Sequence, residues 1–414
     1  MTELFIFDRL SRKPWGEALF ALNTIIYDLG QVDLLPTYRL LYKSLADASL
    51  PDIATAVADS LLFDDSSLAH VTLHLSETDM LPAGLEAGAL SDIENLLHLV
   101  RRNWHYELGE VMSLTGISLP PLDHLAPARH IHKSARALAT TLHTPKTRPE
   151  DVLADLLKHY RQYGSGQQAR YSALHWQAGK LTGIDEPARP SMDKLVGLDT
   201  QLTALTTNTE AFLARKPAQH TLLYGPRGSG KSTAVKSLLH AYGDAGLRLV
   251  EVFAQDLTDL PTITEVLGKQ PTRFIVFVDD LSFEVGDDRY HPLKTLLEGA
   301  LRQRPNNILI YATSNRRHLV TERLRDRPDP LDDDVHAWDT QHERLALADR
   351  FGLTITFPDA NQRAYLTIVK GLAEQVGLGV DDAFEARAIH FARRGNGLSG
   401  RVAQQFIDSE LARR

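Results

Sequence analysis

The stretch His220-Thr-Leu-Leu-Tyr-Gly-Pro-Arg-Gly-Ser-Gly-Lys-Ser232 constrains this chain more than any other. It reads as a short buried strand, then a glycine-rich loop, then a helix opening at Lys231. The spacing Gly225-x-x-x-x-Gly230-Lys231-Ser232 is that of a phosphate-binding loop. Glycines let the backbone curl until consecutive N–H groups point inward at phosphate oxygens. The helix that follows adds the positive end of its dipole at the same spot. Gly225, Pro226, Arg227, Gly228, Ser229, Gly230, Lys231, Ser232 and Thr233 are therefore the expected phosphate cradle. Within it, Lys231 is expected to reach the β- and γ-phosphates and Ser232 to hold Mg²⁺. An ordinary strand-to-helix turn is the plain alternative. The strand before and the helix after argue against it.

A chain of 414 residues suggests two or three domains. The net charge of −8 argues against a chain-wide attraction to nucleic acid and leaves room only for a local basic patch. There is no cysteine, hence no disulfide, thiolate metal site or thiol nucleophile. Met1 to Leu10 carries Glu3, Asp8 and Arg9 and lacks the order of a signal peptide. No run is long and apolar enough to span a bilayer. The expectation is a cytoplasmic protein with no membrane association.

Residues 1–170 read as helical, with apolar residues at helical spacing, as in Leu19, Leu22, Ile25, Ile26 and Leu29. Pro36, Pro51, Pro82, Pro120-Pro121 and Pro145 mark expected breaks. The many histidines here, His70, His74, His98, His105, His124, His130, His132 and His143, match no metal-ligand spacing and read as scattered structural or surface groups. By default this part is a helical recognition or regulatory domain. Residues 171–190 read as a small hairpin about Ala178-Gly179, then a proline-punctuated linker.

Residues 191–358 alternate strands and helices. Beyond the short strand before the loop, strands are expected at Leu249–Phe253, Arg273–Asp280, Asn307–Asn315 and Leu353–Phe357, with helices at Thr262–Gly268 and Pro292–Arg302. Such alternation predicts an α/β fold, a five-stranded parallel sheet with helices on both faces. Ligands bind beyond the carboxyl ends of such strands, where Gly225, Asp279 and Asn315 all fall. Phe274-Ile-Val-Phe-Val-Asp-Asp280 is an apolar strand ending in acid. Asp279 is expected to hold the metal shell, and Asp280 to orient or deprotonate an attacking water. A strand ending in a solvated acid pair is the alternative. Residues 359–414 read as three helices after the last strand.

With these residues in place, the second half resembles an AAA+ ATPase module, preceded by an all-α N-terminal domain. The resemblance implies ATP and Mg²⁺ as ligands, ATP hydrolysis as the activity and a helical lid over residues 359–414. Val196-Gly197 resembles the segment that contacts adenine. Asn315 resembles the polar sensor beside Asp279. Leu347-Ala-Asp-Arg350-Phe-Gly-Leu resembles the segment carrying an arginine finger, with Arg350 acting on a neighbouring copy. Gly397-Leu-Ser-Gly-Arg401 resembles the second sensor, with Arg401 facing the nucleotide. Alone, Arg350 is more often a surface or ion-pair residue, and Arg401 a charge at a helix N-terminus, an unfavourable position for a cation. Asp279-Asp280-Leu-Ser-Phe and Arg350-Phe-Gly-Leu are similar to the bacterial replication-initiator branch. Asp-Asp in place of the usual Asp-Glu shortens the expected base by one methylene. Tyr224-Gly-Pro-Arg-Gly-Ser-Gly-Lys-Ser, Phe277-Val-Asp-Asp-Leu-Ser-Phe-Glu and Tyr311-Ala-Thr-Ser-Asn-Arg-Arg-His-Leu together resemble a bacterial ATP-binding family known as a domain of unknown function, over residues from about Tyr171 to the C-terminus.

What this implies is a homo-oligomer that uses ATP to remodel, load or switch a macromolecular client, with no client named. A weakly hydrolysing, nucleotide-controlled scaffold stays open. So does an initiator- or loader-like role on nucleic acid, although no helix-turn-helix or finger motif supports it. A small-molecule kinase would leave Asn315, Arg350 and Arg401 surplus. A threading unfoldase would want an aromatic loop residue, and Ala254 to Thr272 has none. Arg316, Arg317, His318, Arg323, Arg325 and Arg327 form a basic strip, read chiefly as solvated charge, and Asp329–Asp334 an acidic loop.

Overall fold

The computed structural model describes residues 4–27, 34–75, 79–113, 118–127, 131–283, 287, 289–298, 305–315, 347–395 and 397–413. The basic strip from Arg316 to Arg327 and the acidic loop Asp329–Asp334 lie outside the described residues. The chain divides into two units, Met1–Arg170 and Tyr171–Arg414.

Among the described residues of the first unit, every regular element is a helix. Its centre is the helix Ile53–Phe63, all of whose residues are buried. Its sequence, IATAVADSLLF, is small or apolar almost all round, which suits a helix surrounded by others. Asp52 and Ser66 cap successive helices, accepting the N–H of Thr55 and Ala69. Asp92 is fully buried, and its carboxylate accepts N–H groups from Phe5, Ile6 and Phe7 at 2.9, 2.7 and 3.1 Å. Three donors on one acid explain how a charge sits in this core. Tyr38 donates to the Pro120 carbonyl, and burial pushes its phenol up to about 12. Pro36 falls inside the first turn of Leu34–Asp47, where a missing N–H costs nothing. Among the described residues there is no group of three or more metal-ligating side chains. No described helix is long and apolar enough to cross a membrane.

The second unit holds one seven-stranded sheet. Its strands are β1 (Ala173–Gln177), β2 (Lys180–Gly183), β3 (Thr221–Tyr224), β4 (Leu247–Glu251), β5 (Arg273–Val278), β6 (Ile308–Ser314) and β7 (Leu353–Thr356). Their order is β2-β1-β4-β5-β6-β3-β7, parallel throughout except for the β1–β2 hairpin. The expected count of five is thus corrected to seven. The hairpin, set apart in the sequence reading, joins the same sheet through β1 beside β4. Its turn, Ala178-Gly179, has φ of 49° and 75°, the two-residue hairpin turn whose twist matches its strands. Trp176 Nε1 donates to Asp259 at 2.8 Å and pins the hairpin to the following layer.

Side chains alternate faces along each strand. Phe274, Val276 and Val278 of β5 join one core, while Ile275 and Phe277 join the other. The helices Leu260–Gly268 and Tyr290–Glu298 cover the first face, and Asp199–Leu213 and Lys231–Tyr242 the second. Three helices follow β7: Gln362–Gln375, Asp382–Arg394 and Gly400–Leu411. They close on a core of their own that includes Tyr365, Leu372, Phe384 and Phe406.

Candidate functional site

The site begins where β3 ends. At Gly225 (φ 156°) a Cβ would lie 2.4 Å from the Phe357 carbonyl oxygen, so only glycine lets the loop pass the end of β7. Gly228 and Gly230 take φ of 75° and 100°, the left-handed region that tolerates glycine best. The helix Lys231–Tyr242 then starts, with no side chain capping its first N–H groups. Lys231 is buried at 6% exposure, yet all three of its donors are used. Its ammonium donates to the carbonyls of Gly225 (2.7 Å) and Pro226 (2.8 Å) and to Asn315 Oδ1 (2.9 Å). Burial lowers the Lys231 pKa from its usual range. Asp280 and Asp279 pull it back up, and Arg401 and Arg227 push it down further.

β6 lies between β3 and β5, so residues at its carboxyl end stand between the loop and the acid pair. Ser232 Oγ donates to Asp279 Oδ1 at 2.6 Å. Thr313 Oγ1 donates to that same oxygen at 2.5 Å and accepts the Asp280 N–H at 2.9 Å. Asn315 Nδ2 donates to Asp280 Oδ1 at 2.5 Å. Asn315 therefore joins the lysine to the second acid. Asp280 is exposed, with φ of 53°, an uncommon backbone for a residue other than glycine.

A cavity of about 1140 Å³ opens over this network. Pro226 to Thr233, Asp279, Asp280 and Asn315 line it, together with Val196, Gly197 and Arg401. Val196 packs on the C-terminal helices, where a Cβ on Gly371 would meet it at 2.8 Å. Arg401 opens the last helix, and its N–H donates to the Gly228 carbonyl at 3.3 Å. Two residues of the expected set lie off the cavity wall. Gly225 sits behind the loop with its carbonyl on Lys231. Arg350 ends a short 3-10 turn, Ala348–Arg350, just before β7.

Sequence reasoning passed over Thr313, Arg363 and Asp408, all on the cavity wall. Thr313 was findable: in a strand it shares a face with Asn315, two residues on. Arg401, Gln404, Gln405 and Asp408 follow the i, i+3, i+4, i+7 spacing of one helical face, and all four line the cavity.

The residues present fit a nucleoside triphosphate with Mg²⁺. A glycine cradle, the N–H groups of a helix start and an ammonium suit the phosphates, and the Ser232–Asp279 oxygens suit a hard cation.

No curated protein matches this chain. Among solved structures it is similar to two mutant forms of Thermotoga maritima RuvB, at 16% and 17% identity and a TM-score of 0.37 each. Both matches cover 53% of this chain, and 64% and 65% of theirs. The chain thus spans slightly less than two thirds of those relatives. A third structure, titled as the Thermotoga maritima RuvB Holliday junction branch migration motor, matches at 14% identity and a TM-score of 0.32, over 53% of this chain and 72% of that one. The family described as "Protein of unknown function (DUF815)" matches residues 169–414, well over half of the length. The chain belongs to that family.

Proposed function

We propose that the second unit is an AAA+ module that binds ATP with Mg²⁺ and hydrolyses it to ADP and phosphate. One observation carries the reading. Lys231 and Ser232 at the start of a helix, and Asp279, Asp280 and Asn315 at the ends of β5 and β6, are joined through Thr313 into one hydrogen-bonded network on the wall of a cavity of nucleotide size. Loop N–H groups and the helix N-terminus bind the phosphates. Val196 and Gly197 take the base end, and Arg401 approaches from the last helix. Ser232 and Asp279 would hold Mg²⁺, which when bound neutralises phosphate charge. Asp280 accepts the proton of the attacking water, and Asn315 orients that carboxylate. Arg350 lies off the cavity, which suits a cation supplied to a neighbouring copy. The module then acts as a homo-oligomer that remodels, loads or switches a macromolecular partner.

A slowly turning, nucleotide-controlled scaffold is the second reading. It is favoured by the short Asp280 side chain, held by Asn315. The wording shared with the replication-initiator branch supports a loader-like variant of the first reading.

The test is ATP binding and phosphate release by the purified chain, beside Lys231→Ala. Losing a charge-assisted partner of the phosphates lowers affinity by about ten- to a hundredfold. Equal affinity in both proteins would sink the reading. Tight binding with negligible phosphate release selects the scaffold.

A further inference from the structure

We propose that Thr313 is the positioning residue that brings both carboxylates, Asp279 and Asp280, onto one side of the sheet edge. The inference rests on the ATPase reading of this site and concerns how its acids are aimed.

Neighbouring residues of a strand point to opposite faces. If β5 simply ran on, Asp279 and Asp280 would diverge, and only one could serve the cavity. Both line it. The backbone at Asp280 resolves the conflict, because its left-handed φ of 53° breaks the alternation. That conformation is unfavourable for an L-residue with a side chain, so neighbouring contacts must hold it.

Those contacts come from two consecutive residues of β6. The Thr313 hydroxyl accepts the Asp280 N–H at 2.9 Å. The Thr313 carbonyl accepts the next N–H, from Leu281, at 2.7 Å. Ser314 Oγ donates to the Leu281 carbonyl at 2.9 Å. Thr313 and Ser314 are 1% and 0% exposed, so water cannot replace these bonds. A hydroxyl has a single proton. Thr313 gives it to Asp279 Oδ1, the oxygen that Ser232 also engages. One side chain thus orients the first acid as a donor and fixes the turn of the second as an acceptor. Threonine suits this task. Its β-branch restricts χ1 and fits a buried strand, so the hydroxyl is held in place before any ligand arrives.

The experiment compares wild type, Thr313→Val and Thr313→Ser in steady-state hydrolysis with ATP and Mg²⁺ varied separately. Valine keeps the shape and removes the hydroxyl. Its kcat is expected to fall about ten- to a hundredfold, the size of a lost buried hydrogen bond to charge. Half-saturating Mg²⁺ rises several-fold, while KM for ATP stays within about twofold. Serine restores the hydroxyl and recovers kcat to within about threefold of wild type. Wild-type kcat and Mg²⁺ demand in Thr313→Val would overturn the inference and leave the ATPase reading standing. An equal loss in the valine and serine variants, tracking their melting temperatures, would reduce Thr313 to packing and overturn it too. A wild-type protein that releases no phosphate would overturn the ATPase reading, and this inference with it.

Discussion

Replacing Asp280 by asparagine keeps the shape of the side chain and removes its capacity to take a proton. The oxygen that faces Asn315 survives the change, so the network around Lys231 stays in place. Nucleotide binding is therefore expected to persist within a fewfold. Hydrolysis falls by about 10²- to 10⁴-fold, the usual worth of a general base. Equilibrium binding beside single-turnover phosphate release checks this, and undiminished release refutes the role. A second residue-scale effect lies in the helical unit. Tyr38 holds its proton to about pH 12 in the folded chain, against about 10 unfolded. Between those values the native state binds more protons than the unfolded one, so stability falls as pH rises. Below about pH 10 the contribution is complete. Urea unfolding followed from about pH 9 to about pH 12 should show the midpoint dropping across this window. Tyr38→Phe, which has no proton to lose, should lessen the drop without abolishing it, because burial also raises the phenols of Tyr160, Tyr242 and Tyr365.

Elements here are held by a few polar groups that close what packing leaves open. The clearest is Asp92, whose buried carboxylate satisfies three consecutive N–H groups of the Phe5–Phe7 segment. Asp92→Ala leaves those donors unmet and is expected to destabilise the first unit by about 2–4 kcal/mol. Chemical denaturation measures the loss, and a change under about 0.5 kcal/mol would show that water replaces the carboxylate. At this scale the sequence was legible where local chemistry decides. Glycine spacing located the loop, and the apolar run into Asp279 located β5. It misled where partners are remote. The pattern predicts a strand over Leu249–Phe253, but β4 runs from Leu247 to Glu251. Arg248 hides this shift, because its charge reads as solvent-facing. It is in fact buried, donating to the Gly243 and Leu247 carbonyls, while Phe253 is 49% exposed. The hairpin's place beside β4 depends on a pairing more than 70 residues away in sequence, which no local pattern encodes. Thr313 escaped for a related reason. A threonine in a strand satisfies β-propensity before it suggests chemistry.

Across the whole molecule, each unit has a core of its own, and the cavity belongs entirely to the second. Arg350 stands off the cavity wall, so its contribution is expected to depend on assembly. Wild-type specific activity should rise with protein concentration, and Arg350→Ala should abolish that rise, at a cost of about tenfold or more. Mixing Arg350→Ala with Lys231→Ala supplies an intact pocket from one and an intact arginine from the other. Activity above the sum of the separate proteins is the expected result; strict additivity and concentration-independent rates would refute action between copies. The ammonium of Lys231, already met by three oxygens of its own chain, has a consequence for selectivity. Occupying this pocket is a displacement, not a simple addition. An incoming anion gains only the difference between its own oxygens and those it evicts. Under the proposed function, small anions are therefore expected to compete poorly, and retention is expected to favour a chain of phosphates long enough to engage the loop amides and the lysine at once.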